Sequence, residues 1–105
     1  MSAGYQKISF QRAHELMLEE KSYCFFDVRE DEEYITGHAE GAELFPLDSI
    51  DEENAAERIP ETDTPVFLYC RSGARSFLAA QKLLGFGYTR VYDLGGLNGW
   101  PYGLW

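Results

Sequence analysis

Two stretches of the chain, Tyr23–Val28 (YCFFDV) and Pro65–Cys70 (PVFLYC), are apolar at almost every position over the length of a strand. Such runs are expected where a strand is covered on both faces, as in a parallel sheet. Elsewhere the period changes. In Phe10–Glu20 (FQRAHELMLEE), Phe10, Ala13, Leu16 and Met17 fall on one side, which predicts a helix with Ser9 as its N-cap. Ala74–Gly87 (ARSFLAAQKLLGFG) predicts a second amphipathic helix, with Leu78, Leu83 and Leu84 inward and Gly85 or Gly87 at its C-terminal end. Shorter elements fill the gaps: a first strand at Tyr5–Ser9, an acidic helix at Glu30–His38 stopped near Gly37, a third strand at Ala42–Leu47 ending at Pro46, and a last strand at Thr89–Leu94. The polar segment Asp48–Pro65 predicts a short helix between loops. Gly95–Trp105 predicts a glycine-rich turn and a short terminal helix, with Trp100 packed inward. Strands alternating with helices predict an α/β fold: an open parallel sheet of about five strands with helices on both faces, one domain over residues 1–105. In such sheets ligands bind beyond the carboxyl ends of the strands, and Cys70 stands at one of those ends.

Composition narrows the function. The net charge is −9, from 18 acids against 9 bases, which repels phosphate backbones and anionic membranes and argues against a nucleic-acid or membrane partner. No stretch reads as a signal peptide or a membrane span, so a cytoplasmic, soluble protein is expected. The two cysteines, Cys24 and Cys70, make no disulfide framework, and no Cys/His spacing suits a metal. No cofactor is called for, and the chain is expected to act as a monomer.

Against this acidic background the basic stretch after Cys70 stands out: Arg71, Ser72, Gly73, Ala74 and Arg75 connect the strand to the next helix. Main-chain N–H groups at a helix start have no intrahelical partners. If the loop curls, several converge on the Cys70 sulfur and favour an anion there, helped by the helix dipole. Gly73 permits backbone geometry that a larger residue resists. Arg71 and Arg75 strengthen the field and offer to dock an anionic substrate. The competing reading is a small buried cysteine with solvated arginines.

The segment CRSGARS resembles the active-site loop of rhodanese-like sulfurtransferases. FFDVREDEEYITGHAEGAELFPL (residues 25–47), with Asp27, Arg29, Glu33, Tyr34, Gly37, His38 and Gly41, resembles the N-proximal signature of that family, and DLGGLNGW (residues 93–100) the C-proximal one. The resemblance covers about Tyr5 to Trp100; the chain then ends in PYGLW, sooner than many members. It implies a sulfur carrier: Cys70 as nucleophile takes the sulfane sulfur of a donor such as thiosulfate, becomes a persulfide, and passes the sulfur to a thiophilic acceptor, cyanide or a small or protein thiol. The loop residues Arg71 to Arg75 would supply the surrounding amides and bind substrate. Two alternatives remain open. Phosphatases and arsenate reductases of related fold resemble Cys-x5-Arg, one residue longer than the Cys-x4-Arg of Cys70 to Arg75, a wider cradle suited to a tetrahedral oxyanion. A non-catalytic binding module of the same fold is the other.

Asp27 and Arg29 leave the second strand at the same sheet edge and are expected to support the loops as an ion pair rather than touch substrate. His38 is expected to be a turn histidine bonded to backbone, His14 a surface residue without a partner, and Cys24 an inert core thiol. The acidic runs are expected to be solvated faces.

Overall fold

A computed structural model describes residues 4–105. Strands β1 (Tyr5–Lys7), β2 (Cys24–Asp27), β3 (Glu43–Leu44), β4 (Val66–Cys70) and β5 (Val91–Gly96) form one parallel sheet in the order β1-β5-β4-β2-β3. Helices α1 (Phe10–Glu19), α2 (Asp31–Thr36), α3 (Glu52–Arg58) and α4 (Ala74–Gly85) connect them, with a 3-10 turn at Leu47–Ser49. The fold is the expected α/β arrangement. Ser9 caps α1 as the sequence indicated, its hydroxyl accepting from Arg12 N–H at 3.0 Å.

The central strand β4 is buried at all five positions, and its period of two divides the core. Val66, Leu68 and Cys70 face a cluster with α3 and α4 that includes Ala55, Ile59, Ala79, Ala80 and Leu83. Phe67 and Tyr69 face the other side, with Ala13 of α1, Phe25, Tyr92 and Trp100. Helices therefore cover both faces, and the side chain of Cys70 points toward α4.

Three expectations change. The inward face of α4 is Ser76, Ala79, Ala80 and Leu83, while Leu78 is turned to solvent. The cysteine loop sets the helix phase: it brings Ser76 against the sulfur, and the buried positions then recur at i+3, i+4 and i+7. The third strand shortens to two residues, because the 3-10 turn begins at Leu47 directly after Pro46. The terminal segment forms no helix. Gly99 and Gly103 adopt φ of 90° and 104°, and Pro101 lacks an N–H. The tail instead straps across residues 38–40. His38 N donates to Trp105 O, Trp105 N to His38 O and Glu40 N to Gly103 O, at 2.7–2.9 Å. Trp100 packs inward as expected and donates through Nε1 to Gly103 O at 3.0 Å. Among the described residues no helix is long and apolar enough to cross a membrane.

Candidate active site around Cys70

β4 ends at Cys70, and the chain turns over Arg71 and Ser72 into α4. Gly73, at φ 103°, is the N-cap. That left-handed conformation reverses the loop onto itself, and glycine adopts it without strain. The Gly73 N–H then reaches Cys70 Sγ at 3.0 Å, and the Ser76 N–H at 3.3 Å. The thiol donates to Ser76 Oγ at 3.6 Å, and that hydroxyl donates to Gly73 O at 3.1 Å. Two main-chain donors and one rotatable hydroxyl thus surround a buried sulfur. Ala74 and Arg75 open the helix, so no intrahelical carbonyl reaches their N–H groups. Arg71 and Ser72 are exposed at the turn.

The loop rests on β5. Gly95 follows an irregularity in register, so that Leu68 pairs with Asp93 but Tyr69 with Gly95 and Cys70 with Gly96. Buried Asp93 fixes it, accepting from Gly95 N–H at 2.8 Å and from the Tyr5 hydroxyl at 2.9 Å. Burial first, then the bond to Asp93, pushes the Tyr5 hydroxyl up to about 12. A Cβ on Gly96 would lie 2.5 Å from Arg71 O, so the absence of a side chain lets the loop sit directly on the strand. Leu97 N–H closes the contact on Cys70 O at 2.9 Å.

The arginines differ from one another. Arg75 was expected to offer a free docking group. Its guanidinium is instead clamped by Glu33 of α2, Nη1 to Oε1 at 2.6 Å and Nη2 to Oε2 at 2.9 Å. Glu33 also accepts from Glu30 N–H, closing a capping box. The pair joins the start of α2 to the start of α4. The Arg75 hydrogen bonds, then the Glu30 N–H, hold the Glu33 carboxyl down at about 2 against an ordinary 4.5. A carboxyl depressed by folding stabilises the fold fully above its unfolded value. That contribution is expected to disappear as pH falls from about 4.5 to about 2. Urea unfolding followed across this range should show a slope that flattens in Glu33→Gln; an identical slope in both proteins would refute the coupling.

Asp27 and Arg29 form the expected ion pair. Arg29 Nε lies 2.9 Å from Asp27 Oδ1 and Nη2 2.6 Å from Oδ2. The pair ties down the neighbouring loop: Arg29 Nη2 donates to Gly37 O at 2.7 Å, and the Tyr69 hydroxyl donates to Asp27 Oδ2 at 2.6 Å while accepting from Ala39 N–H. Burial, then the Asp27 bond, pushes the Tyr69 hydroxyl well above its ordinary range. This cluster lies on the Tyr69 side of the sheet, not the Cys70 side. His38 is the turn histidine expected, its Nδ1 2.9 Å from Tyr34 O and its ring stacked on Tyr34. Cys24 donates to Arg58 O at 3.8 Å, and burial pushes its thiol up. It pairs with Val66, four residues along β4 from Cys70. About 13 Å of strand separates the two cysteines, too far for a disulfide. His14 departs from expectation: it is half-buried and stacks on Tyr102 at 4.0 Å.

Sequence reasoning missed Ser76, Glu33's hold on Arg75, and Tyr69. Ser76 carried a usable signal, since it is the third helical residue after a glycine cap and its N–H is one of the orphan donors.

Comparison with known proteins shows the family. The rhodanese-like domain family matches residues 9–101. The chain belongs to that family. It is 43% identical over 75 residues to the uncharacterized protein YqhL of Bacillus subtilis, covering 70% of this chain and 57% of the relative. It is 37% identical over 74 residues to the thiosulfate sulfurtransferase PspE of Escherichia coli, covering 70% of each. It is 34% identical over 101 residues to a tRNA uridine(34) hydroxylase of Protochlamydia amoebophila, covering 91% of this chain but 32% of the hydroxylase. Among solved structures, a rhodanese with anions from E. coli matches with TM-score 0.74 and 32% identity, over 80% of this chain and 98% of that one. A thiosulfate sulfurtransferase from Pseudomonas aeruginosa matches with TM-score 0.84 and 30% identity, over 95% of this rhodanese-like chain and 20% of that protein.

Proposed function

We propose that this protein is a sulfurtransferase working through a persulfide on Cys70. The observation that carries the reading is the pair of N–H groups, from Gly73 and Ser76, on the Cys70 sulfur. The deprotonated Sγ attacks the outer sulfur of a thiosulfate-like donor. A new S–S bond forms to Cys70 as the donor's S–S bond breaks, and sulfite leaves with the electron pair. An acceptor thiolate or cyanide then attacks the outer sulfur and returns the Cys70 thiolate. Main-chain donors favour sulfur anions at both stages. When the thiol loses its proton, Ser76 Oγ is released from that donor and its hydroxyl turns from Gly73 O toward the sulfur. The N–H groups of Arg71, Ser72, Ala74 and Arg75 remain for the outer sulfur and the incoming anion.

Two features favour sulfur over phosphate or arsenate. The loop is one residue shorter than Cys-x5-Arg, and Arg75, the residue that would clasp equatorial oxygens, is committed to Glu33. This leaves Arg71 as the loop's docking cation. The intact Cys70 loop speaks against a non-catalytic module.

With thiosulfate and cyanide, sulfite and thiocyanate should appear in equal amounts, while aryl phosphates stay intact. Hydrolysis of aryl phosphates without sulfite release would refute the reading. Arg71→Ala should lower kcat/KM by roughly ten-fold at low salt, and by less as ionic strength rises. Arg75→Ala should act instead through the loop, with a loss that salt does not relieve. A salt-insensitive Arg71→Ala would remove its docking role.

A further inference from the structure

On the sheet face opposite the Cys70 side chain, α1, the entry to β2 and the terminal strap border a half-open cavity of about 180 Å³. Among its lining residues are the aromatic His14, Tyr23, Phe25, Trp100 and Tyr102 and the acidic Glu40, which is exposed to solvent. The rings are held in place. Trp100 is fixed by its Nε1 bond to Gly103 O and by an edge contact with Phe10 at 5.3 Å, and Tyr102 by the stacked His14. The main chain at Glu40 is tied to the strap through its N–H on Gly103 O. Preformed walls of this kind reduce the ordering cost of binding. Leu18 and Tyr23 are exposed, so the cavity opens on their side.

The charge of the lining selects the ligand. Among the described residues no lysine or arginine lines it, and Glu40 is the one acidic residue that does. Aromatic faces are electron-rich and attract cations, and the carboxylate adds to the pull. The net charge of −9 raises the local concentration of cations further. Thiosulfate-like anions are repelled for the same reasons, so this site serves a different molecule from Cys70. The volume has room for several water-sized groups. It lies below the ~300 Å³ of drug-sized sites and accommodates a headgroup. Methyl groups suit walls of rings, Met17 and Leu18, better than the three N–H donors of a bare ammonium, which need more acceptors than a mostly apolar wall offers. We propose that this cavity binds the alkylated ammonium head of a small organic cation.

The test uses tetramethylammonium and neopentyl alcohol, an uncharged molecule of similar size. NMR of the tryptophan indoles reads binding at Trp100, with Trp105→Phe assigning the two signals; Trp105 is exposed and outside the cavity. Tetramethylammonium should shift the Trp100 signal saturably, several-fold more tightly than neopentyl alcohol, and several-fold more weakly in Glu40→Gln. Sulfur transfer by Glu40→Gln should match the unaltered protein, since Glu40 lies outside the Cys70 loop. Equal affinity for the neutral molecule, indifference to Glu40→Gln, or the absence of a saturable shift would each overturn the proposal.

Discussion

Gly96→Ala is expected to lower sulfur-transfer turnover by about a hundred-fold or more while leaving a folded protein. The added Cβ would fall 2.5 Å from Arg71 O and 3.2 Å from Ser72 Cα, both main-chain atoms without a rotamer to escape into. The loop must move away from β5. Cys70 and Gly96 are paired in the ladder, so the displacement is applied beside the sulfur. A shift on the order of 1 Å at reacting groups is enough for such a loss. Overpacking also costs stability, about 1–3 kcal/mol. Circular dichroism with steady-state turnover checks both parts. A folded variant with full turnover would show that the close seating of the loop is not needed.

Cys70→Ser should remove turnover by more than about a thousand-fold, because the hydroxyl cannot carry sulfane sulfur in its place. Stability should change little, since Oγ can take the same N–H donors. Cys24→Ala is the control. Its thiol is half-buried, raised by burial, and a strand's length from Cys70. It should turn over normally and lose about 1 kcal/mol of stability. Loss of turnover in a folded Cys24→Ala would point to a resolving thiol, against the separation seen here.

The alternation of strands and helices was legible because the buried strands are continuous apolar runs and α1 shows a clear helical period. The loop was legible too: an orphan-donor cluster follows Cys70 wherever a strand feeds directly into a helix. What escaped reading depends on contacts between distant segments. Glu33 and Arg75 lie 42 residues apart; alone, Glu33 reads as part of a solvated acidic face and Arg75 as a docking group for an anion. Tyr69 lies beside Cys70 in sequence, yet its bond to Asp27 requires knowing that β2 and β4 are neighbours. The phase of α4 was assigned from its leucines, but the seating of Ser76 under the loop decided it. The tail was expected to be a glycine-rich turn and a short helix with Trp100 inward; Trp100 is inward, but two positive-φ glycines turn the chain back across residues 38–40 instead.

The central claim is a sulfur covalently held on Cys70, and intact-protein mass spectrometry after incubation with thiosulfate tests it most directly. The account predicts release of sulfite and a gain of one sulfur atom per chain, mapped to the peptide containing Cys70, absent in Cys70→Ser, and removed by cyanide or a thiol. A protein that turns over thiosulfate without ever gaining that mass, or that carries it on Cys24, would contradict it.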